Sequence, residues 1–286
     1  MNENEIILVD GISQSNYSEI IEKSLRYAII SLPFTINRMS ISSLKQRIEN
    51  IAKGKIAEEI FFLFARQNEL PVNPAPCRTP FFQADRRDFV LFDAEWDIKN
   101  NFLVHYDKIL PGSYTHLPAL IPDKHRHDQW AQRNVHKIEQ SCDVAFLFTF
   151  MKWKDNRCNT SKGFFDFSLT KEQNDLLVRA WQKYKGKTLN EIPFDKTIFW
   201  HEWKRLGRNA PFCNLKIYEF PPLVIAGYAM KKEFPFFEIV RRNQKFLQGV
   251  LHTRIKNRGL PIKKLPSFAS LFPRFKREIR LGHFRI

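Results

Sequence analysis

The chain has 286 residues, of which 43% are hydrophobic and 27% are charged, and its formal net charge is +16. This composition is typical of a globular protein, and the length allows one large domain or two smaller ones. From Lys231 to the C-terminus, 15 Lys and Arg residues stand against three acids, so most of the net positive charge lies in the last fifth of the chain. Basic proteins attract polyanions, so we expect nucleic acid as a partner, although charge alone is equally compatible with a ribosomal or membrane-surface role.

The sequence predicts neither a targeting signal nor a membrane span. Residues 1–5 lack the basic region that opens a secretory signal, and the longest apolar runs, such as 144–151, are too short to cross a bilayer. The four cysteines are far apart and contain no CxxC pair, which argues against a zinc ribbon and against a disulfide framework. We therefore expect a cytoplasmic protein with free thiols and no membrane partner.

The first half of the chain predicts an α/β order. Residues 5–10 read as a strand, and the apolar spacing predicts helices over 15–30 and 42–67. A proline-rich loop over 70–80 leads to two short β-rich segments within 88–99, which read as a hairpin. The pattern then predicts a helix over 134–140 and a buried central strand over 143–153.

The second half gives weaker signals. We expect a strand over 164–169, a helix over 171–184 that Thr170 caps, and strands over 197–203 and 215–220. The segment from Phe234 onwards mixes basic and aromatic residues with prolines, and its pattern predicts no particular element. We expect the chain to divide into two regions, residues 1–153, which form the core with its N-terminal helices, and residues 154–286, which continue the core and add a basic region. The alternative is that both regions form a single domain.

The hairpin gathers charged side chains on one face. With a two-residue turn at Asp93-Ala94, Asp88 lies opposite Lys99, and strand residues alternate between faces. A three-residue loop would instead place Asp88 on the opposite face from Asp97. The two-residue turn predicts one face that carries the charged residues and one that is apolar. The charged face contains Asp88, Val90, Phe92, Glu95, Asp97 and Lys99. The apolar face contains Phe89, Leu91, Trp96 and Ile98.

Clustered carboxylates indicate a metal site. Like charges raise one another's pKa and destabilise the fold, and a divalent cation removes that penalty. Carboxylate oxygens are the ligands that Mg²⁺ prefers, and bound Mg²⁺ activates water for phosphodiester hydrolysis. Lys99, two residues beyond Asp97, is placed to stabilise charge on the phosphate. The alternative is a solvated strand face on which Lys99 pairs with Glu95 or Asp88.

The sequence Asp88, eight residues, then Asp97-Ile98-Lys99 resembles the core motif of the PD-(D/E)XK nuclease superfamily. The upstream segment 54–61, Gly-Lys-Ile-Ala-Glu-Glu-Ile-Phe, resembles its first core helix, and the likeness spans about residues 42–153. It implies a restriction-endonuclease-like core, with a central mixed β-sheet flanked by helices, and metal-dependent cleavage of nucleic acid. It also implies that Glu58 assists the site. Arg87 replaces the usual proline, and Asp97 replaces the more usual glutamate.

Two further groups are candidate contacts. Residues 125–128, His-Arg-His-Asp, lack the additional ligands of a metal site and read better as a polar loop that touches phosphate. The basic residues of the C-terminal region read as phosphate contacts or as a solvated surface. The candidate nucleic-acid-binding residues are Arg241, Arg242, Lys245, Arg254, Lys256, Arg258, Lys263 and Lys264.

These patterns favour a Mg²⁺-dependent DNA endonuclease of the type II restriction class. One or two Mg²⁺ ions would be held by Asp88, Asp97 and Glu58, with Lys99 as the fourth catalytic residue. Cutting both strands of a duplex with one site per chain favours a homodimer. The alternatives are a repair or mobile-element nuclease of the same fold, a nucleic-acid-binding protein without catalysis, and an RNA-directed or ribosome-associated factor.

Overall fold

The computed structural model describes residues 5–35, 41–78, 87–104, 114–123, 144–152, 163–184, 193–207 and 215–272, and the backbone of 284–285. Within these ranges the chain forms four α-helices, a six-stranded central sheet and three smaller sheets. The helices are α1 (Gln14–Ser31), α2 (Leu44–Gln67), α3 (Lys171–Tyr184) and α4 (Lys196–Leu206). In this part of the chain no helix has the length and apolar character needed to cross a bilayer.

The central sheet takes strands from both halves of the sequence. Its members are β1 (Ile7–Asp10), β2 (Phe89–Leu91), β3 (Ala94–Leu103), β5 (Val144–Lys152), β8 (Leu223–Ala229) and β13 (Phe284–Arg285). The smaller sheets contain β4 (Pro118–Pro122), β6 (Phe165–Asp166), β7 (Lys216–Ile217), β9 (Glu238–Val240), β10 (Lys245–Phe246), β11 (Leu251–His252) and β12 (Asn257–Pro261). The central order is β13-β1-β8-β5-β3-β2, so the boundary predicted near residue 153 falls between strands of one sheet.

The central sheet is mixed and covered on both faces. The β3–β5 and β1–β13 pairs are parallel, and the other neighbours are antiparallel. Strand β5 is buried except at its last residue, and its side chains alternate: Leu147 joins the core beneath the helices, whereas Phe146 and Phe148 join a second core. That second core is closed by the three-stranded sheet β4-β12-β9. The α/β class, the mixed sheet and the buried central strand are thus confirmed, and the four described helices share one face.

Three helices and the first strand form where the sequence predicts them. Ser13 caps the N-terminus of α1, and Ser43 caps that of α2. Their hydroxyls accept hydrogen bonds from the backbone N–H groups of Asn16 and Gln46, respectively. At α3, the Gln173 amide N–H donates to the Thr170 hydroxyl, and the Gln173 side chain accepts from the Thr170 N–H, both at 3.1 Å. This reciprocal pair is a capping box, which explains why the helix begins at this point.

Three predictions for the second half need correction. The strand predicted over 197–203 is wrong, because these residues belong to α4. The Asp195 carboxylate accepts from the N–H groups of Thr197 and Ile198, at 2.7 and 3.0 Å, and so starts a helix. The strands predicted over 164–169 and 215–220 exist only as β6 and β7. Strand β8 was not predicted, and the helix predicted over 134–140 lies outside the described residues.

Candidate active site

The hairpin that carries the candidate site turns one residue earlier than predicted. Phe89 pairs with Trp96 and Leu91 with Ala94, so the two turn residues are Phe92 and Asp93. Both have positive φ, 50° and 59°, as a type I′ turn requires. The predicted turn at Asp93-Ala94 is therefore wrong.

The strand residues of the hairpin nevertheless lie on the faces predicted for them. Moving a two-residue turn by one residue shifts the pairing by two positions, and a shift of two leaves every side chain on its original face. Asp88 lies just before β2, where its N–H donates to the Trp96 carbonyl at 2.8 Å and its carboxylate accepts from the Ile98 N–H. Asp97 and Lys99 still share one face, because they are two residues apart on β3.

The apolar face of the hairpin attaches it to α2. Phe89, Leu91, Trp96 and Ile98 are buried, as predicted. The rings of Phe89 and Trp96 stack with centroids 5.7 Å apart, and Phe61 of α2 contacts the Phe89 ring at 5.1 Å. This packing holds the charged edge of the hairpin against the helix that carries Glu58, three residues before Phe61.

The surroundings of Asp88 perturb its carboxylate strongly. Burial raises its pKa well above the ordinary value, and the Glu58 and Asp97 carboxylates raise it further. The backbone N–H of Ile98, which donates to Asp88 Oδ2, and the Lys99 ammonium lower the pKa, but they do not compensate fully. All four predicted site residues, Glu58, Asp88, Asp97 and Lys99, therefore interact electrostatically in one place.

Lys99 is paired with Asp97. Its Nζ donates to both carboxylate oxygens, at 2.8 and 2.7 Å, and the two side chains are only 17% and 14% exposed. The same ammonium lies 5.6 Å from the centroid of the Phe146 ring, which belongs to the neighbouring strand β5. Glu95 instead pairs with Arg87 at 3.0 Å. The low exposure of Asp97 and Lys99 does not fit a freely solvated strand face.

Two adjacent glutamates of α2 have different partners. Glu58 accepts a hydrogen bond from Lys55, three residues earlier, and its carboxylate acts on the pKa of Asp88. Glu59 instead pairs with Lys23 of α1, at 2.8 Å. The helix thus directs Glu58 towards the hairpin and Glu59 towards α1, which supports the choice of Glu58 as the assisting residue.

The chemistry of these side chains fits a hard cation. They offer carboxylate oxygens, which Mg²⁺ prefers, and the raised pKa of Asp88 shows that its negative charge is incompletely compensated. In the described part of the chain, however, no three His, Cys, Asp or Glu side chains are grouped so that they could hold a metal ion. Lys99 already bonds Asp97, and Lys55 already bonds Glu58. A cation bound to either carboxylate would compete with its lysine.

Two lysines on α2 were not predicted from the sequence. Lys55 lies three residues before Glu58, a spacing at which opposite charges meet on a helix. Lys53 is buried, its Nζ lies 5.6 Å from the Phe102 ring, and burial lowers its pKa to about 7, with Glu49 raising and Arg254 lowering it. Glu49 precedes Lys53 by four residues, which is the sequence signal that could have identified this pair.

The C-terminal candidate residues fall into two groups. Arg258 is partly buried, and the other seven are exposed. Lys256 and Arg258 both face the buried carboxylate of Asp123, at 2.8 and 3.8 Å. These two cations neutralise a carboxylate of the protein itself. Residues 125–128, which were predicted to form a polar loop, lie outside the described residues.

Comparisons of the chain with models of protein families, with curated proteins and with solved structures found no match. The resemblance to the PD-(D/E)XK superfamily therefore stays a prediction. The geometry of the site is independent of that resemblance: a helix and a hairpin bring three carboxylates and a lysine together.

Proposed function

We propose that this protein is a Mg²⁺-dependent DNA endonuclease with a restriction-endonuclease-like core of the PD-(D/E)XK type. The observation that carries the proposal is the convergence of Glu58, Asp88, Asp97 and Lys99 in one place, although Glu58 lies 30 to 41 positions before the other three in the sequence. Glu58 comes from α2, and Asp97 and Lys99 come from β3. A half-buried carboxylate beside two others is costly for a structural role and useful for binding a cation.

Each of the four residues has a role in this proposal. Asp88 and Asp97 would hold one or two Mg²⁺ ions, and Glu58 would assist them. Bound Mg²⁺ would lower the pKa of water and stabilise the leaving oxygen of a phosphodiester. Lys99, whose ammonium is confined between Asp97 and the Phe146 ring, donates to a phosphate oxygen as negative charge develops there.

Duplex DNA is the substrate that we propose. The net charge of +16 favours a polyanion, and most of it lies in the C-terminal region. A type II restriction endonuclease is the subtype we favour, acting as a homodimer so that each strand meets one site. A repair or mobile-element nuclease of the same fold would use the same four residues.

A nucleic-acid-binding protein without catalysis is the second candidate. The observation that favours it is that lysines already neutralise two of the three carboxylates, Asp97 through Lys99 and Glu58 through Lys55. Such pairs also serve a purely structural role. The two candidates differ in whether purified protein cleaves DNA when Mg²⁺ is added.

Cleavage of supercoiled plasmid by Asp97→Asn tests the proposal. We expect Mg²⁺-dependent nicking to fall by at least about 100-fold, while DNA binding measured in Ca²⁺ is largely kept. Asp93→Asn is the matched control, because Asp93 is exposed at the turn of the same hairpin. Equal cleavage by Asp97→Asn and the wild type would overturn the proposed site, and absence of cleavage by the wild type would favour the second candidate.

A further inference from the structure

Phe236 is an exposed aromatic residue on a well-anchored turn. Its side chain is 65% exposed, whereas Phe234 and Phe237 on either side of it are buried, at 1% and 4%. Phe234–Phe236 forms a single 3₁₀ turn, in which the Phe236 N–H donates to the Glu233 carbonyl at 3.1 Å. Pro235 fixes one backbone angle of the turn. The ring of Phe236 is thus held outward by a backbone that its buried neighbours keep in place.

This turn lies on the same side of the central sheet as the candidate catalytic lysine. The Phe234 ring contacts the Phe146 ring with centroids 5.6 Å apart, and the Lys99 ammonium lies over that same Phe146 ring at 5.6 Å. Phe237 contacts Phe148, two residues further along β5, at 6.1 Å. A single phenylalanine ring therefore connects the turn to the site.

The segment around Phe236 is strongly basic. Its exposed cations precede and follow the turn in the chain, and they are Lys231, Lys232, Arg241, Arg242 and Lys245. Of the two acids in the segment, Glu233 is buried and accepts from the Met230 N–H at 2.9 Å. Glu238 is exposed. Cations around an exposed aromatic ring complement a nucleic acid in which a base step opens, because phosphates and the flat face of a base are then offered together.

The loop that carries three of these cations is fixed from within. The Thr253 hydroxyl donates to the Arg241 carbonyl at 2.7 Å and accepts from the Gln244 N–H at 3.1 Å. The Asn243 N–H donates to the Thr253 carbonyl at 2.8 Å. These bonds hold the backbone of residues 241–245 against β11, so their cations project from an ordered base. Little backbone order has to be gained when this surface binds a ligand.

We propose that Phe236 inserts at a base step of the bound duplex and stacks on the nucleobase that this exposes, close to the phosphate that contacts Lys99, while the flanking cations contact neighbouring phosphates. This inference rests on the DNA-binding part of the proposed function, but it does not require cleavage. It adds a contact with bases to a surface that would otherwise hold only the phosphate backbone. Aromatic side chains and apolar wedges act in this way in other proteins that bind nucleic acid.

Fluorescence titration of a duplex that contains 2-aminopurine, without divalent metal, tests the inference. Stacking of an aromatic ring on the probe changes its emission, so the wild type is scanned with the probe at successive positions. We expect Phe236→Ala to abolish the emission change and to weaken binding by about 5-fold to 100-fold. We expect Phe236→Trp to keep both the emission change and the binding affinity, because tryptophan also stacks. The slope of log affinity against log salt stays unchanged in Phe236→Ala, because no charge is removed.

Ile198→Ala provides a matched control. Ile198 is also 65% exposed, but it belongs to α4, whose buried side chains join the core under the opposite face of the sheet. We expect Ile198→Ala to bind the duplex with wild-type affinity and to give the wild-type change in 2-aminopurine emission. If Phe236→Ala binds with wild-type affinity and gives the wild-type emission change, the stacking is wrong. Equal losses in Ile198→Ala would also overturn it.

A separate plasmid assay in Mg²⁺ distinguishes failure of the inference from failure of the proposed function. Mg²⁺-dependent cleavage together with an unaffected Phe236→Ala variant would overturn only the stacking. Specific loss of stacking in Phe236→Ala, without cleavage by the wild type, would support the stacking and overturn the nuclease. A wild type that binds no DNA would overturn both.

Discussion

The carboxylate of Asp88 accepts a hydrogen bond from the backbone N–H of Ile98, at 2.5 Å, across the two strands of the hairpin. Ile98 lies between Asp97 and Lys99 and points to the opposite, buried face. The hydrogen bond therefore fixes Asp88 beside both residues. Its pKa remains raised nevertheless, since burial and two neighbouring carboxylates outweigh this bond and the Lys99 ammonium.

Asp88→Asn is expected to stabilise the metal-free protein at neutral pH. The native pKa of Asp88 is raised above its unfolded value, so its contribution to stability is fully present below the unfolded pKa and is lost as pH rises through the native pKa. The asparagine variant does not suffer this loss, and its Oδ1 can still accept from the Ile98 N–H. Urea unfolding in EDTA between pH 4 and pH 8 measures the difference.

The pH dependence and the Mg²⁺ dependence of the stability difference between Asp88→Asn and the wild type test the assigned pKa direction. Without metal, the stability advantage of Asp88→Asn over the wild type is expected to grow as pH rises. Added Mg²⁺ is expected to stabilise the wild type more than the variant, because binding to the native state adds to its stability. An advantage of the variant that shrinks as pH rises would contradict the assigned pKa direction.

Lys99→Ala is expected to reduce Mg²⁺-dependent cleavage by about 100-fold to 1000-fold, with DNA affinity changed much less. The reason is that Lys99 would act on charge that develops only in the transition state. Lys55→Ala is the control, because Lys55 also pairs with a site carboxylate but is assigned no contact with the phosphate. Single-turnover rates for the two variants provide the measurement, and equal losses in both would contradict the role of Lys99.

Glu58→Gln and Glu59→Gln form a matched pair on one helix. Glu58→Gln is expected to slow cleavage by about 10-fold or more and to raise the Mg²⁺ concentration needed for half-maximal rate. Glu59→Gln removes only the ion pair with the 62% exposed Lys23, so it is expected to cost about 0.5 kcal/mol of stability and to leave cleavage unchanged. Metal titrations of both variants decide between them, and the reverse result would transfer the assisting role to Glu59.

Asp93→Gly is expected to stabilise the hairpin by about 0.5 to 1 kcal/mol. Asp93 has a φ of 59° at the second position of the turn, where glycine is favoured because it has no Cβ. Asp93→Val tests the same point in the other direction, since a β-branched residue is strained at positive φ. Thermal unfolding measures both variants, and a more stable valine variant would contradict the observed register.

Arg241→Gln and Lys256→Gln separate exposed cations from internally paired ones. Arg241 is exposed, and its replacement is expected to lower the salt dependence of DNA binding by about 0.9 log unit for each phosphate that the arginine neutralises. Lys256 bonds Asp123, so its replacement is expected to change the slope less. Affinities measured at several salt concentrations provide the test. Equal slopes in the two variants and the wild type would remove Arg241 from the DNA-binding surface.

The sequence was sufficient to predict the faces of the hairpin but not its turn. Alternation with a period of two fixes which side chains share a face, and a shift of the turn by one residue preserves that assignment. The sequence signal for the turn was weak, because neither Asp93-Ala94 nor the observed Phe92-Asp93 contains the glycine that marks a type I′ turn.

The errors in the second half have a common physical cause. Residues 197–203, Thr-Ile-Phe-Trp-His-Glu-Trp, contain the β-branched and aromatic types that favour strands. Burial of Phe199, Trp200 and Trp203 against the helical layer, together with the Asp195 cap, outweighs that local preference. Strand β8 follows two prolines and completes the sheet through pairing with β5 and β1, which are distant in sequence.

The lysine partners of the site were the main omission. The spacing of Lys55 and Glu58 was visible in the sequence, whereas the contact of the Lys99 ammonium with the Phe146 ring is made across two strands, β3 and β5. Contacts between parallel neighbours such as β3 and β5 leave no local trace in the sequence, so they emerge only from the fold.

Plasmid cleavage by the wild type and by the double variant Asp88→Asn/Asp97→Asn separates a nuclease from a DNA-binding protein without catalysis. We expect the wild-type protein to convert supercoiled DNA to nicked and linear forms in Mg²⁺, and not to do so in EDTA. We expect the double variant to bind DNA without cutting it. Intact plasmid after incubation with the wild type in Mg²⁺, or equal cutting by the double variant, would contradict the proposed nuclease.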